Sequence, residues 1–193
     1  MTAELTVFDS PEKLGWHLAG EILERARVAL RKRRRFLLGC PGGRSLQPTY
    51  RALARRAAEA NENLSHLVVV MMDEYLEPDG KAGFANCPIN AHYSCLGFAF
   101  REITGPLNAE LPADHCVPDN QVWVPDPADP ELYDRYLQEA GGIDLFLLAS
   151  GAGDGHVAFN PPGTSLDTET RIVELAEQTR RDNLDSFPQF RGL

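Results

Sequence analysis

The stretch "HLVVVMMDEY", residues 66–75, decides the fold. From His66 to Met72 it is β-prone and apolar at both odd and even positions, without the alternation of a strand that has one face in water. That pattern predicts a central strand of a parallel sheet, covered on both faces. The run then stops at two carboxylates, Asp73 and Glu74. Outward from this strand the chain alternates strand and helix. "FLLGC" (Phe36 to Cys40) is a second buried strand, followed by the loop "PGGRS" and a helix from about Gln47 to Ala60. Before it, Thr6 to Phe8 reads as a short edge strand, and Ser10 and Pro11 supply the N-cap and first position of a helix to about Ala29. The region from Glu77 to Asp129 is less regular, with a helix expected around Ala91 to Phe100. Asp129 and Pro130 open a further helix that Gly141 and Gly142 close, and "IDLFLLA" (Ile143 to Ala149) is the next buried strand. Strand–helix units of this length predict one α/β domain over residues 1–193, an open, mostly parallel sheet with helices on both faces.

With 193 residues the chain can bury a substantial single core. Its formal net charge of −9 argues against nucleic-acid binding, which needs a positive footprint. A small anionic ligand is still admissible, because one cationic pocket can sit on an acidic protein. The opening "MTAELTVFDS" has neither the basic nor the apolar region of a secretory signal, and the longest apolar runs are too short to span a membrane. Cys40, Cys87, Cys95 and Cys116 show no CxxC pair and no zinc spacing, which reads as four reduced thiols in a cytoplasmic protein without a metal. The basic block "RKRRR" (Arg31 to Arg35) reads as the solvated end of a helix, where cations offset the macrodipole.

Three polar clusters fall at the carboxyl ends of the expected strands, where open parallel sheets bind ligands. In "GCPGGRS" the glycines free the backbone amides to face a ligand at a helix N-terminus, and Arg44 and Ser45 add a guanidinium and a hydroxyl. Gly42, Gly43, Arg44 and Ser45 are thus candidate phosphate ligands; a plain strand-to-helix turn with Ser45 as N-cap explains the same letters. Asp73 and Glu74 end their strand, where a shielded carboxylate can serve as a general base or simply mark the strand end. In "SGAGDGHVAFN" His156 follows a buried strand in a glycine-rich loop, with Asp154 the nearest acid able to fix its tautomer.

Together "MDEY", "DGHVAFN", the following "TSLDTETRIVEL" and "GGRS" resemble the glucosamine-6-phosphate deaminase/6-phosphogluconolactonase family, over almost the whole chain and nearer its deaminase branch. The resemblance implies a Rossmann-like sheet and a phosphorylated hexose or hexosamine as substrate, with no metal or organic cofactor. Residue by residue it makes Asp73 the base that moves a proton between C2 and C1. It makes Asp154 and His156 the ring-opening group, puts Gly42, Gly43, Arg44 and Ser45 at the phosphate, and sets Glu74 beside the ligand. The chain departs from the pattern at Pro161, where deaminases carry glutamate, at Asp185, where an arginine is expected, and at Val173 in place of a lysine, although Arg171 is kept. Family members also continue past "FPQFRGL" with more strands and a phosphate-binding lysine; either the sequence is a piece of a longer product, or the domain is reduced and its open sheet edge needs cover, for which a homo-oligomer is one solution. A lactonase that uses His156 to activate water and a non-catalytic sugar-phosphate-binding domain are the alternative readings.

Overall fold

The computed structural model describes residues 4–151, 153 and 155–187. Its main sheet has four strands in the order β5-β2-β1-β6, and every neighbouring pair is parallel. Here β1 is Phe36–Cys40, β2 is Leu67–Met71, β5 is Val122–Trp123 and β6 is Leu145–Phe146. A two-stranded antiparallel hairpin, β3 (Leu76–Pro78) with β4 (Phe84–Asn86), leaves the carboxyl end of β2.

The even apolarity of the central strands follows from what covers them. Phe36, Leu38 and Cys40 of β1 and Leu67, Val69 and Met71 of β2 face one cluster with helices α1 (Pro11–Arg31) and α2 (Gln47–Ala60). Leu37, Val68 and Val70 face the other way, onto Tyr133 of α5 (Pro130–Glu139). The Tyr133 hydroxyl donates to the Met71 carbonyl at 2.7 Å and so ties that helix to the end of β2. Helices therefore cover both faces, and burying so much apolar surface is the main source of the fold's stability.

The caps read from sequence are in place. Ser10 Oγ accepts from Lys13 N, Asp129 Oδ1 accepts from Leu132 N, and Gly141 and Gly142 leave α5 with φ of 93° and 85°. The basic block past α1 is more than solvated charge. Arg34 Nη1 donates to Asp144 Oδ2 at 2.8 Å, and the same oxygen accepts Leu37 N at 3.0 Å. Burial opposes ionisation of Asp144, but Arg34 and the Leu37 amide outweigh it and hold the carboxyl below its usual range. Arg35 lies over the Trp123 ring, 5.8 Å from its centroid.

Four expectations are corrected. Thr6 to Phe8 pairs with no strand among the described residues, and Leu5 and Val7 stand exposed. The helix expected from Ala91 starts at Cys95, as α3 (Cys95–Phe98), and runs past Phe100 through a π-helical turn (Ala99–Thr104) into α4 (Gly105–Asn108). Its start is set by Ser94, whose Oγ accepts Gly97 N at 2.9 Å. Ser45 does not cap α2: the N-cap position is Leu46, which offers no side-chain acceptor. "IDLFLLA" forms a ladder only at Leu145–Phe146, and Leu148 is 62% exposed; among the described residues β6 pairs with β1 alone.

Helices α1 and α2 meet at backbone distance through Gly15. A Cβ at Gly15 would lie 2.7 Å from the carbonyl carbon and oxygen of Pro48, which cannot swing away as a side chain could. Alanine is intrinsically the better helix former by about 1 kcal/mol. Here the steric term dominates, so Gly15→Ala is expected to destabilise the protein by about 1–3 kcal/mol, as overpacking does. The check is urea unfolding, where the midpoint falls with an unchanged slope; an unchanged or higher midpoint would show that the two helices part freely.

Candidate active site

The parallel strands β1, β2 and β6 direct their carboxyl ends to one edge of the sheet, which brings the three polar clusters together. After β1, Pro41 is anchored by the Tyr50 hydroxyl, which donates to its carbonyl at 2.8 Å. The turn that follows is open: Gly43 has φ of 86°, and a Cβ there would meet nothing within 4 Å. Arg44 and Ser45 are exposed, and Arg44 forms no ion pair among the described residues. With no side chain capping α2, the amino end of that 14-residue helix faces the turn.

After β2 the two adjacent carboxylates have opposite surroundings. Glu74 is saturated with donors: its Oε1 accepts Tyr75 N and Cys95 N, each at 2.8 Å, and the Cys87 thiol at 3.4 Å. Its Oε2 accepts Ser94 Oγ at 3.0 Å and Leu96 N at 2.9 Å. The sequence suggests Glu74 at the ligand; in the structure the chain itself engages both oxygens, and Glu74 fixes the start of α3. Asp73 receives one hydrogen bond among the described residues, from the Cys95 thiol at 3.3 Å. Burial pushes its carboxyl up to about 6; the thiol works against that rise, the Glu74 charge adds to it, and His156 lowers it. A carboxyl with that midpoint can both take and return a proton near neutral pH.

After β6 the loop folds back on itself through an antiparallel bridge between Ser150 and Val157, and Gly151 N donates to the His156 carbonyl at 2.9 Å. The His156 ring occupies the space that a Cβ on Gly151 would need, so that glycine is required by close approach. His156 Nδ1 lies 3.5 Å from Oγ1 of Thr179, a buried residue of α6 (Glu177–Ser186). Asp154, expected beside the histidine, lies outside the described residues.

Asp73 also lines a cleft of about 690 Å³, bounded by Tyr75, Phe84, Asn86, Phe159 and Arg171. His156 and the Gly42–Ser45 turn are not among its walls; Asp73 and Glu74 after β2, and Ala158 to Asn160 just past His156, join the cleft to the polar clusters. Arg171 donates to Asn160 Oδ1 at 3.2 Å and Thr164 Oγ1 at 3.1 Å. Among the described residues no three His, Cys, Asp or Glu side chains gather as a metal site, and no helix is long and apolar enough to cross a membrane.

Sequence reasoning missed Cys95, Thr179 and Asn183, whose Nδ2 donates to the Tyr75 hydroxyl at 2.7 Å. Thr179 and Asn183 stand one turn apart on α6, a helical spacing that could have paired them. Nothing local marks Cys95.

Comparison with known proteins agrees with this arrangement. The family model described as glucosamine-6-phosphate isomerases/6-phosphogluconolactonase matches residues 9–183. A glucosamine-6-phosphate deaminase of Arthrobacter sp. (strain FB24) is 34% identical over 186 residues, 95% of this chain and 65% of the relative. One from Porphyromonas gingivalis is 33% identical over 170 residues, 87% of this chain and 60% of the relative. The chain thus spans under two thirds of either relative. Among solved structures, a monomeric glucosamine-6-phosphate deaminase superposes with a TM-score of 0.70 at 23% identity, over 96% of this chain and 69% of its own. A 6-phosphogluconolactonase from Trypanosoma brucei superposes with a TM-score of 0.51 at 18% identity, over 87% and 67%. At those identities the two structures speak for the fold alone. The match over residues 9–183, carrying Asp73, His156 and the Gly42–Ser45 turn in order, shows that the chain belongs to the glucosamine-6-phosphate isomerase/6-phosphogluconolactonase family.

Proposed function

We propose that the chain acts on a hexosamine or hexose 6-phosphate as a glucosamine-6-phosphate deaminase-like isomerase, by ring opening and C2–C1 proton transfer. The observation that carries this reading is a donor-poor, partly buried carboxylate with a midpoint of about 6, within electrostatic reach of His156 and at the same sheet edge as an open Gly-Gly-Arg-Ser turn. The turn, Arg44 and the uncapped end of α2 receive the phosphate. His156, with Asp154, moves the proton that opens the ring. Asp73 then takes the weakly acidic proton from C2 and returns it to C1, while donors at the enol oxygen share the work. None of these steps draws on a metal. The four cysteines are free thiols, three of them buried, which supports a cytoplasmic setting.

Asp73→Asn keeps the size of the side chain but accepts no proton. Exchange of the C2 hydrogen with deuterated water, followed by NMR on glucosamine 6-phosphate, is expected to fall by about 10²–10⁴-fold while substrate still binds. In the parent the base acts as carboxylate. Exchange should therefore rise about tenfold per pH unit below a pH of about 6 and level off above it. Wild-type exchange in the variant would remove Asp73 from the mechanism, and acid release from a sugar lactone without any exchange would favour a lactonase.

Arg44→Ala is expected to weaken sugar-phosphate binding by roughly ten- to a hundredfold, the effect of losing a charge-assisted contact, and to leave neutral sugar unaffected. Calorimetric titration with both ligands checks it; equal affinities for the phosphate would sink the phosphate role of the turn.

Pro161 stands where the deaminases carry glutamate, so His156 has one acidic neighbour fewer. Ammonia release from glucosamine 6-phosphate should be slow relative to isomerisation, and Pro161→Glu should speed it. An unchanged ammonia rate in that variant would make the position neutral.

A further inference from the structure

The base at the end of β2 has a neighbour that the steps above leave unused. The Cys95 sulfur lies 3.3 Å from Asp73 Oδ1, and the residue is 6% exposed. Its backbone is held independently of that contact, since Cys95 N donates to Glu74 at 2.8 Å. A Cβ at Gly42 would stand 3.8 Å from the sulfur, an ordinary contact distance. The buried thiol therefore adjoins both the carboxylate and the turn after β1.

Burial, joined by the charges of Asp73 and Glu74, pushes the Cys95 thiol well up, so it keeps its proton and acts as a donor. Among the described residues it is the sole hydrogen-bond donor to Asp73; the second oxygen of Asp73 has none there.

We propose that Cys95 is the positioning residue of Asp73, its thiol proton holding Oδ1 so that the other oxygen alone exchanges the substrate proton. The proposal rests on the reading of Asp73 as the base. The weakness of the donor is what suits it to the task. A base that takes a proton at C2 and delivers it at C1 must not be held too firmly as the anion. An arginine or two backbone amides at Oδ1 would stabilise the carboxylate strongly, whereas an S–H bond orients the group and offsets only part of its desolvation. The other groups facing the carboxyl are Glu74 beside it, which raises its midpoint, and His156 from the loop after β6, which lowers it. Among the described residues Tyr75, and Tyr133 of α5, both held protonated by burial, are also within electrostatic reach.

The test compares Cys95→Ala and Cys95→Ser with the parent by two readouts. One is the Asp73 carboxyl midpoint, from carbon NMR of aspartate-labelled protein assigned with Asp73→Asn. The other is the pH profile of C2 exchange, resolved into kcat and KM. Removing the donor in Cys95→Ala should raise the midpoint by roughly half to one pH unit. The acid limb of kcat should move with it, and KM should change by less than about twofold, because the thiol does not touch substrate. Cys95→Ser keeps an O–H donor in the same place and should restore most of both shifts. An unmoved midpoint in Cys95→Ala, or equal shifts in both variants, overturns the proposal, the second by reducing the effect to packing. A change confined to KM overturns it as well. Absence of C2 exchange in the parent itself would remove the base reading, and the catalytic part of the proposal with it. An unmoved midpoint with exchange intact would remove only the thiol's part.

Discussion

The site depends on one carboxylate whose two oxygens are both held by the chain itself. Glu74 gathers donors from Tyr75, Cys87, Ser94, Cys95 and Leu96, so it binds the chain leaving β2 to the chain returning about twenty residues later. Two of those donors are the first amides of α3, groups that no intrahelical partner can satisfy. An anion there answers the partial positive charge of the helix end as well as its orphan N–H groups. The excursion through the β3–β4 hairpin is thereby closed at its base, and α3 begins directly beside the end of β2. That clamp sets where Cys95 stands relative to Asp73, while the β1–β2 ladder sets the turn after β1.

The same clamp explains how two neighbouring carboxyl groups on one strand end come to differ. Donors that could have gone to either are all directed to Glu74, and Asp73 is left with a thiol. A buried carboxyl with few donors is destabilised as an anion, and the charge of Glu74 beside it adds to that. Saturating one acid is thus the means of making its neighbour basic. A change at Glu74 would act on Asp73 through both charge and position.

Much of this was legible in the sequence, and the limits are physical. The central strands could be read because burial on both faces leaves its mark on every residue, as in Leu67 to Met71. Ser10, Asp129 and the Gly141–Gly142 pair could be read because caps act within a few residues. The position of Asp73, His156 and Gly43 at strand ends followed from parallel topology alone. What could not be read depended on distant partners. The clamp on Glu74 could not be read, because its donors come from Ser94 to Leu96. Ala91 looks like a helix residue until the clamp moves the start to Cys95. "IDLFLLA" looks like a central strand, but apolar letters do not record how many neighbours a strand has, and among the described residues β6 has one. Asp154 lies outside the described residues, so its place beside His156 rests on the family pattern.

The shortness of β6 raises the question of what places His156, since a two-residue ladder fixes little beyond its own length. Part of the answer is internal to the loop. Ser150 bridges Val157, and Gly155 and Ala158 turn the chain with φ of 75° and 54°. An alanine at positive φ is strained, which implies that surrounding contacts over-determine that turn. Phe159, the next residue, lies 4.8 Å from the Tyr75 ring, centroid to centroid. The Tyr75 hydroxyl is held by Asn183 of α6, and one turn earlier on that helix Thr179 meets His156 Nδ1. Tyr75 follows Asp73 and Glu74 directly in sequence. Helix α6 therefore touches the base side of the site through Asn183 and the histidine side through Thr179. Helix α6 and the Tyr75–Phe159 contact thus act with the sheet in setting where His156 stands relative to Asp73.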